Sequence, residues 1–85
     1  MKIYIATITI LIKDRHAHIA PVNKLLTEYG HIVIARLGVS LERQCLKGCT
    51  GLISIAAEGT KLEIEALTKK INKLKNTKAK NTFIS

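Results

Sequence analysis

The chain has 85 residues, 47% of them hydrophobic, and its fourteen Lys and Arg against six Asp and Glu give a formal net charge of +8. That length supports one small core, so a single domain over residues 1–85 is expected, and two cysteines cannot build a disulfide framework. Lys13, Asp14 and Arg15 cut the first apolar run short of bilayer-spanning length and the run lacks a small-residue cleavage site, so no membrane span or signal peptide is expected and the cytoplasm is the expected compartment.

With one Phe, two Tyr and no Trp, the interior must be built from Ile, Leu, Val and Ala. Residues 2–13, KIYIATITILIK, are β-branched and free of Gly and Pro, which predicts a strand. At period two, one side carries Ile3, Ile5, Thr7, Thr9 and Leu11, and the other Tyr4, Ala6, Ile8, Ile10 and Ile12. The next segment, DRHAHIAPVNKLLTEYG, reads as a loop and a short amphipathic helix. Pro21 is expected in the first turn, where its missing N–H is harmless. Ile19, Val22, Leu25, Leu26 and Tyr29 form its stripe, and Gly30 is the expected left-handed stop.

HIVIARLGV, residues 31–39, predicts a second strand with Ile32 and Ile34 opposed to Val33 and Leu37. A polar, glycine-marked connection follows, and TGLISIAAEG, residues 50–59, predicts a third strand. Thr60 and Glu63 have capping-box spacing and open a helix to about Lys75, with Ile64, Leu67, Ile71 and Leu74 as its buried stripe. The tail TKAKNTFIS predicts a fourth strand at a sheet edge, where Lys78 and Lys80 discourage unwanted pairing.

The order βαββαβ, with a hairpin between strands two and three and right-handed helical crossovers elsewhere, predicts an α+β ferredoxin-like plait: a four-stranded antiparallel sheet with two helices on one face. Strands that are apolar on both sides imply that the uncovered face is also sheltered. Its footprint of roughly 300 Å² is large for a monomer, so a homodimer or homotetramer is expected, joined by the open face or by strand edges.

The chemistry-bearing residues are few. Cys45 and Cys49 stand four apart in GVSLERQCLKGCTG, half of a structural zinc set, with Arg43 and Lys47 nearby to lower a thiol pKa. A polar hairpin tip, a metal site and a redox thiol all fit that pattern, the first best, and no cofactor is expected. His16 and His18 share a side only in extended chain, so they do not make a metal site alone. No nucleophile–base–acid set is visible, and the G-x-x-G at 48–51 lacks the strand-to-helix setting of a phosphate loop. The basic charge invites nucleic acid, but six of the cations fall between Lys69 and Lys80, at a helix C-terminus and the tail after it, where the helix dipole favours them regardless.

VNKLLTEYGHIVIARLGV, preceded by a DR at the end of strand one, resembles the corresponding segment of the small iron-only hydrogenase system regulators. The matching positions are Asp14, Arg15, Val22, Asn23, Leu25, Leu26, Glu28, Tyr29, Gly30, Ile32, Ile34, Arg36 and Gly38. GLISIAAEGTKLEIEALTKKINKLKNTKAKN is similar to the remainder of the pattern. The resemblance implies an ACT-like regulatory domain, dimeric or higher, similar in shape to the C-terminal sensing domain of nickel-responsive repressors. Those repressors place histidines on the strand that here reads LGVSLE, and this chain has Gly38 and Ser40 there, so a nickel site is not implied. The cysteine connection is longer than the family's and is not explained by the resemblance.

The expectation is therefore a non-enzymatic domain that senses a small effector at a seam between its own copies, with Asp14, Arg15, Arg36 and Gly38 as ligand-binding residues. A partner regulatory protein would carry any transcriptional role. Two alternatives stay open: a metal or thiol sensor built on Cys45 and Cys49, and a nucleic-acid-binding plait.

Overall fold

The computed structural model describes residues 2–40 and 49–85, apart from the side chains of 39 and 40. Six elements follow in the expected order: β1 (Tyr4–Ile12), α1 (Arg15–Glu28), β2 (Val33–Ser40), β3 (Gly51–Gly59), α2 (Lys61–Asn72) and β4 (Thr77–Phe83). The strands form one antiparallel sheet in the order β2-β3-β1-β4, the ferredoxin-like α+β arrangement. Ile8, Ile10, Ile53 and Ile55 of the central strands pack with Val22 and Leu26 of α1 and Ile64, Leu67 and Ile71 of α2, so one face of the sheet carries both helices.

The period-two reading of β1 identifies its sides correctly, and burial decides which is which. Ala6, Ile8, Ile10 and Ile12 lie under the helices, while Ile3, Ile5, Thr7 and Thr9 are exposed on the open face. In β3 the buried side is Gly51, Ile53, Ile55, Ala57 and Gly59. The open face is apolar at its margins, with Ile5 and Leu37 exposed, but its middle is polar: Thr9 pairs across to Ser54.

β2 corrects the simple alternation. Its register with β3 slips between Val33 and Ala35, so Val33 pairs with Ala57 but Ala35 with the adjacent Ala56. The extra residue, Ile34, is 61% exposed instead of joining Ile32 in the core. Beyond the bulge the sides are reset: Arg36 pairs with Ile55 and Gly38 with Ile53 on the helix-bearing face, and Leu37 pairs with Ser54 on the open one.

The first helix also departs from expectation at both ends. It begins at Arg15, so Pro21 is interior rather than in the first turn. The missing N–H leaves the Ala17 carbonyl without its usual partner four residues on, at an exposed position. Gly30 does not take a left-handed conformation; the helix closes through Tyr29 N–H to the Leu25 carbonyl at 3.0 Å and Gly30 N–H to that of Thr27 at 3.1 Å. The second helix opens as read, with Thr60 as N-cap and a complete capping box to Glu63, but it ends at Asn72 rather than near Lys75, so Leu74 packs on the core from beyond the helix and only partly buried.

β4 closes one edge of the sheet, and α2 covers part of it. The Asn72 amide donates to the Ala79 carbonyl at 2.9 Å, and its oxygen accepts from Ala79 N–H at 2.7 Å. This two-way clasp satisfies outward backbone groups that an edge strand otherwise offers to any passing strand. At the other edge, β2 has no comparable cover among the described residues.

Candidate functional site

The turn from β1 into α1 sets the geometry. Lys13 N–H donates to the Asn76 carbonyl at 2.9 Å, Asp14 takes the left-handed conformation (φ 52°, ψ 59°), and Arg15 N–H donates to the Cys49 carbonyl at 2.6 Å. These contacts carry the base of Arg15 to the start of β3. Its aliphatic stem then crosses Gly51, where a β-carbon would stand 2.5 Å from Arg15 Cδ. The lack of a side chain at Gly51 is what lets the arginine lie there.

From Arg15 the stripe continues along α1 at four-residue intervals through Ile19 and Asn23, which share a helix face. Opposite stands β2, where the bulge has turned Arg36 toward α1. The Arg36 Nη2 donates to the Asn23 side-chain oxygen at 2.8 Å, tying the edge strand to the helix. Between these walls lies a cleft of about 280 Å³, bounded by Gly38, Gly51, Leu52 and Ile53 of the sheet. Gly38 keeps it open: a β-carbon there would meet nothing closer than Ile53 Cγ1 at 3.9 Å.

Two guanidinium groups line this cleft and no described carboxylate does. The Arg15 Nε is shielded from solvent and has no hydrogen-bond partner among the described residues. The ion pair found among the described residues, His31 Nε2 to Glu63 Oε2 at 2.8 Å, joins the turn after α1 to α2 and involves neither arginine. There the backbone N–H of Thr60, with His31 and the Thr60 hydroxyl assisting, holds the Glu63 carboxyl below its ordinary pKa.

Arg15, Arg36 and Gly38 thus come together on one cleft, from α1 and β2. Asp14 does not line it; its carbonyl accepts from Ala17 N–H at 3.1 Å and lies 3.3 Å from His18 Nδ1, so its place is the turn. Cys49 is buried, and Cys45 lies outside the described residues. Among the described residues no three His, Cys, Asp or Glu side chains gather closely enough to hold a metal ion. Reading the sequence missed Ile19, Asn23, Gly51, Leu52 and Ile53 as lining residues. The four-residue spacing of 15, 19 and 23 was the available signal for the first two, and Gly51 had none.

Two other hollows, of about 380 and 210 Å³, share Leu11 and Lys78 along β1 and β4. Their lysines are exposed and reach water freely. Tyr4, the one aromatic of the central strands, packs edge-on against Phe83 at 5.5 Å beside the core rather than standing on the open face. The base-stacking surface that single-stranded nucleic acid uses on such sheets is therefore missing among the described residues. No helix among the described residues is long and apolar enough to cross a membrane.

Residues 4–81 match the family model described as "TM1266-like: Iron-only hydrogenase system regulator, putative". The chain is similar in structure to the TM1266 protein of Thermotoga maritima, with a TM-score of 0.86 at 20% identity, covering 99% of this chain and 100% of that one. A protein from Galdieria sulphuraria is similar over 98% of this chain and 50% of its own, with a TM-score of 0.73 at 6% identity. CPII from Thiomonas intermedia K12, whose structure holds ADP, AMP and acetate, is similar at a TM-score of 0.52 and 16% identity over 100% of this chain and 93% of that one. At these identities the structural likenesses establish the fold. Among curated proteins, none matches the sequence.

Proposed function

Because the chain belongs to the TM1266-like family of iron-only hydrogenase system regulators, we propose that it is a non-enzymatic regulatory domain that binds a small effector in the α1–β2–β3 cleft and associates with its own copies beside that cleft. The observation that carries this reading is the convergence of Arg15, Arg36 and Gly38 on one cavity of about 280 Å³, close to the low end of the range for small-molecule sites.

The seam is argued from the edges of the sheet. β4 is clasped by Asn72 and guarded by Lys78 and Lys80, whereas β2 offers eight residues with Ile34 and Leu37 both more than half exposed. Charge favours the same edge. At +8 per chain, two copies repel, but β4 lies three strand spacings from β2, about 14 Å. That exceeds the Debye length of about 8 Å at physiological salt, so the β4 lysines of one copy are screened from a partner at β2. Arg36 and Gly38 lie on this same strand, so a ligand that orders β2 would change how well it pairs.

Native mass spectrometry of freshly purified protein tests both parts. The expected spectrum is a multiple of the 9.4 kDa chain carrying a retained small molecule, which a Gly38→Val substitution releases without unfolding the protein. A monomer with no retained molecule would remove the reading.

A further inference from the structure

We infer that the effector is a small organic anion whose carboxylate or phosphate group is gripped between the guanidinium groups of Arg15 and Arg36. This rests on the ligand-binding reading of the cleft and adds the chemical class of the ligand.

Three observations point the same way. Both arginines line the cleft, and no described side chain of opposite charge does, so a positive field there is not neutralised from within the described chain. The Arg15 Nε is shut off from solvent with no acceptor among the described residues, a costly state for a charged group that a shift of the side chain toward a ligand oxygen would relieve. The Arg36 Nη2 is held by Asn23 at 2.8 Å, which leans the guanidinium toward the cleft and leaves its other N–H groups without partners among the described residues. Planar guanidinium groups match carboxylate and phosphate oxygens in pairs, which a lysine ammonium does not. Beyond the arginines the walls are Ile19, Leu52 and Ile53, and the volume is about 280 Å³, so the anionic head would carry a compact, weakly polar body.

The test follows the arginine side-chain Nε–Hε signals by ¹H–¹⁵N NMR at low salt while succinate, glycerol 3-phosphate or the neutral isostere succinamide is added. Saturable shifts of the Arg15 and Arg36 signals with succinate identify a carboxylate site, and with glycerol 3-phosphate a phosphate site. Succinamide is expected to leave both unmoved. Arg15→Lys keeps the charge but not the fork, and should weaken anion binding about tenfold, the loss of roughly one charge-assisted hydrogen bond. No saturable shift with either anion, an equal response to succinamide, or unchanged affinity in Arg15→Lys overturns the assignment. The underlying reading fails separately: a neutral molecule retained in native mass spectrometry and released by Gly38→Val would leave a ligand site standing while the anion falls. No retained molecule of any kind would remove both.

Discussion

The stem of Arg15 lies across the backbone of Gly51, so close that a β-carbon at residue 51 would sit 2.5 Å from Cδ and 3.2 Å from Cγ of the arginine. This contact aims the arginine along the cleft, and it couples the first turn of α1 to the first residue of β3. Gly51→Ala should therefore push the stem aside and destabilise the fold by about 1–3 kcal/mol, as overpacking of a buried site does. Gly38→Ala is the contrasting variant: its new methyl meets only Ile53 at ordinary contact distance, and removing a strand glycine should leave stability equal or raise it by up to about 1 kcal/mol. Urea midpoints at constant m-value distinguish the two.

The capping box of α2 gives a pH-dependent prediction. Glu63 is held below its ordinary value of 4.5 first by Thr60 N–H and then by His31 and the Thr60 hydroxyl. A carboxyl that binds its proton less tightly when folded contributes stability fully above the unfolded value and loses it as pH falls through the folded one. Glu63→Gln should accordingly flatten the decline of stability below about pH 4.5, the ordinary carboxyl value, as followed by urea unfolding across an acid series. Thr60→Ala, which removes the N-cap acceptor for Glu63 N–H, should cost about 1 kcal/mol near neutrality.

The clasp between Asn72 and Ala79 predicts a graded effect. Asn72→Ala leaves both backbone groups of Ala79 without their partner and should cost about 1–3 kcal/mol. Asn72→Asp keeps the acceptor for Ala79 N–H but sets a carboxylate oxygen against the Ala79 carbonyl, so it separates the two bonds. Amide hydrogen exchange at Ala79 reports directly, with faster exchange expected in Asn72→Ala than in Asn72→Asp.

At the opposite edge, Leu37→Lys places a charge on β2 where the proposed seam runs. Each copy would lose one apolar side chain from the contact, about 1.5–3 kcal/mol apiece, so the dissociation constant should rise about a hundredfold or more. Since Leu37 is 67% exposed, the fold of each copy should be untouched, and circular dichroism checks that.

Much of this architecture is legible in the residues themselves. Alternation in β1 separates Ala6, Ile8, Ile10 and Ile12 from Thr7 and Thr9, and Thr60 with Glu63 marks the start of α2 before any contact is known. What escapes is set by tertiary geometry. A single extra residue at Ile34 reverses the sides of β2, and nothing in a run of apolar residues announces it. The start of α1 is hidden because Asp14 makes no side-chain cap bond and Pro21 mimics a first turn. Arg15, Arg36 and Gly38 stand out by resemblance to a family segment, but Gly51 meets Arg15 across 36 positions, and no local pattern foretells such a contact.

In the proposed assembly, copies of the chain associate through the edge at β2, next to the arginine cleft. Sedimentation equilibrium at micromolar concentration, on the wild-type chain beside Leu37→Lys, tests it most directly. The wild-type particle is expected at a multiple of 9.4 kDa and the Leu37→Lys particle at lower mass. A wild-type chain sedimenting alone at 9.4 kDa, or an assembly that Leu37→Lys leaves intact, would contradict it.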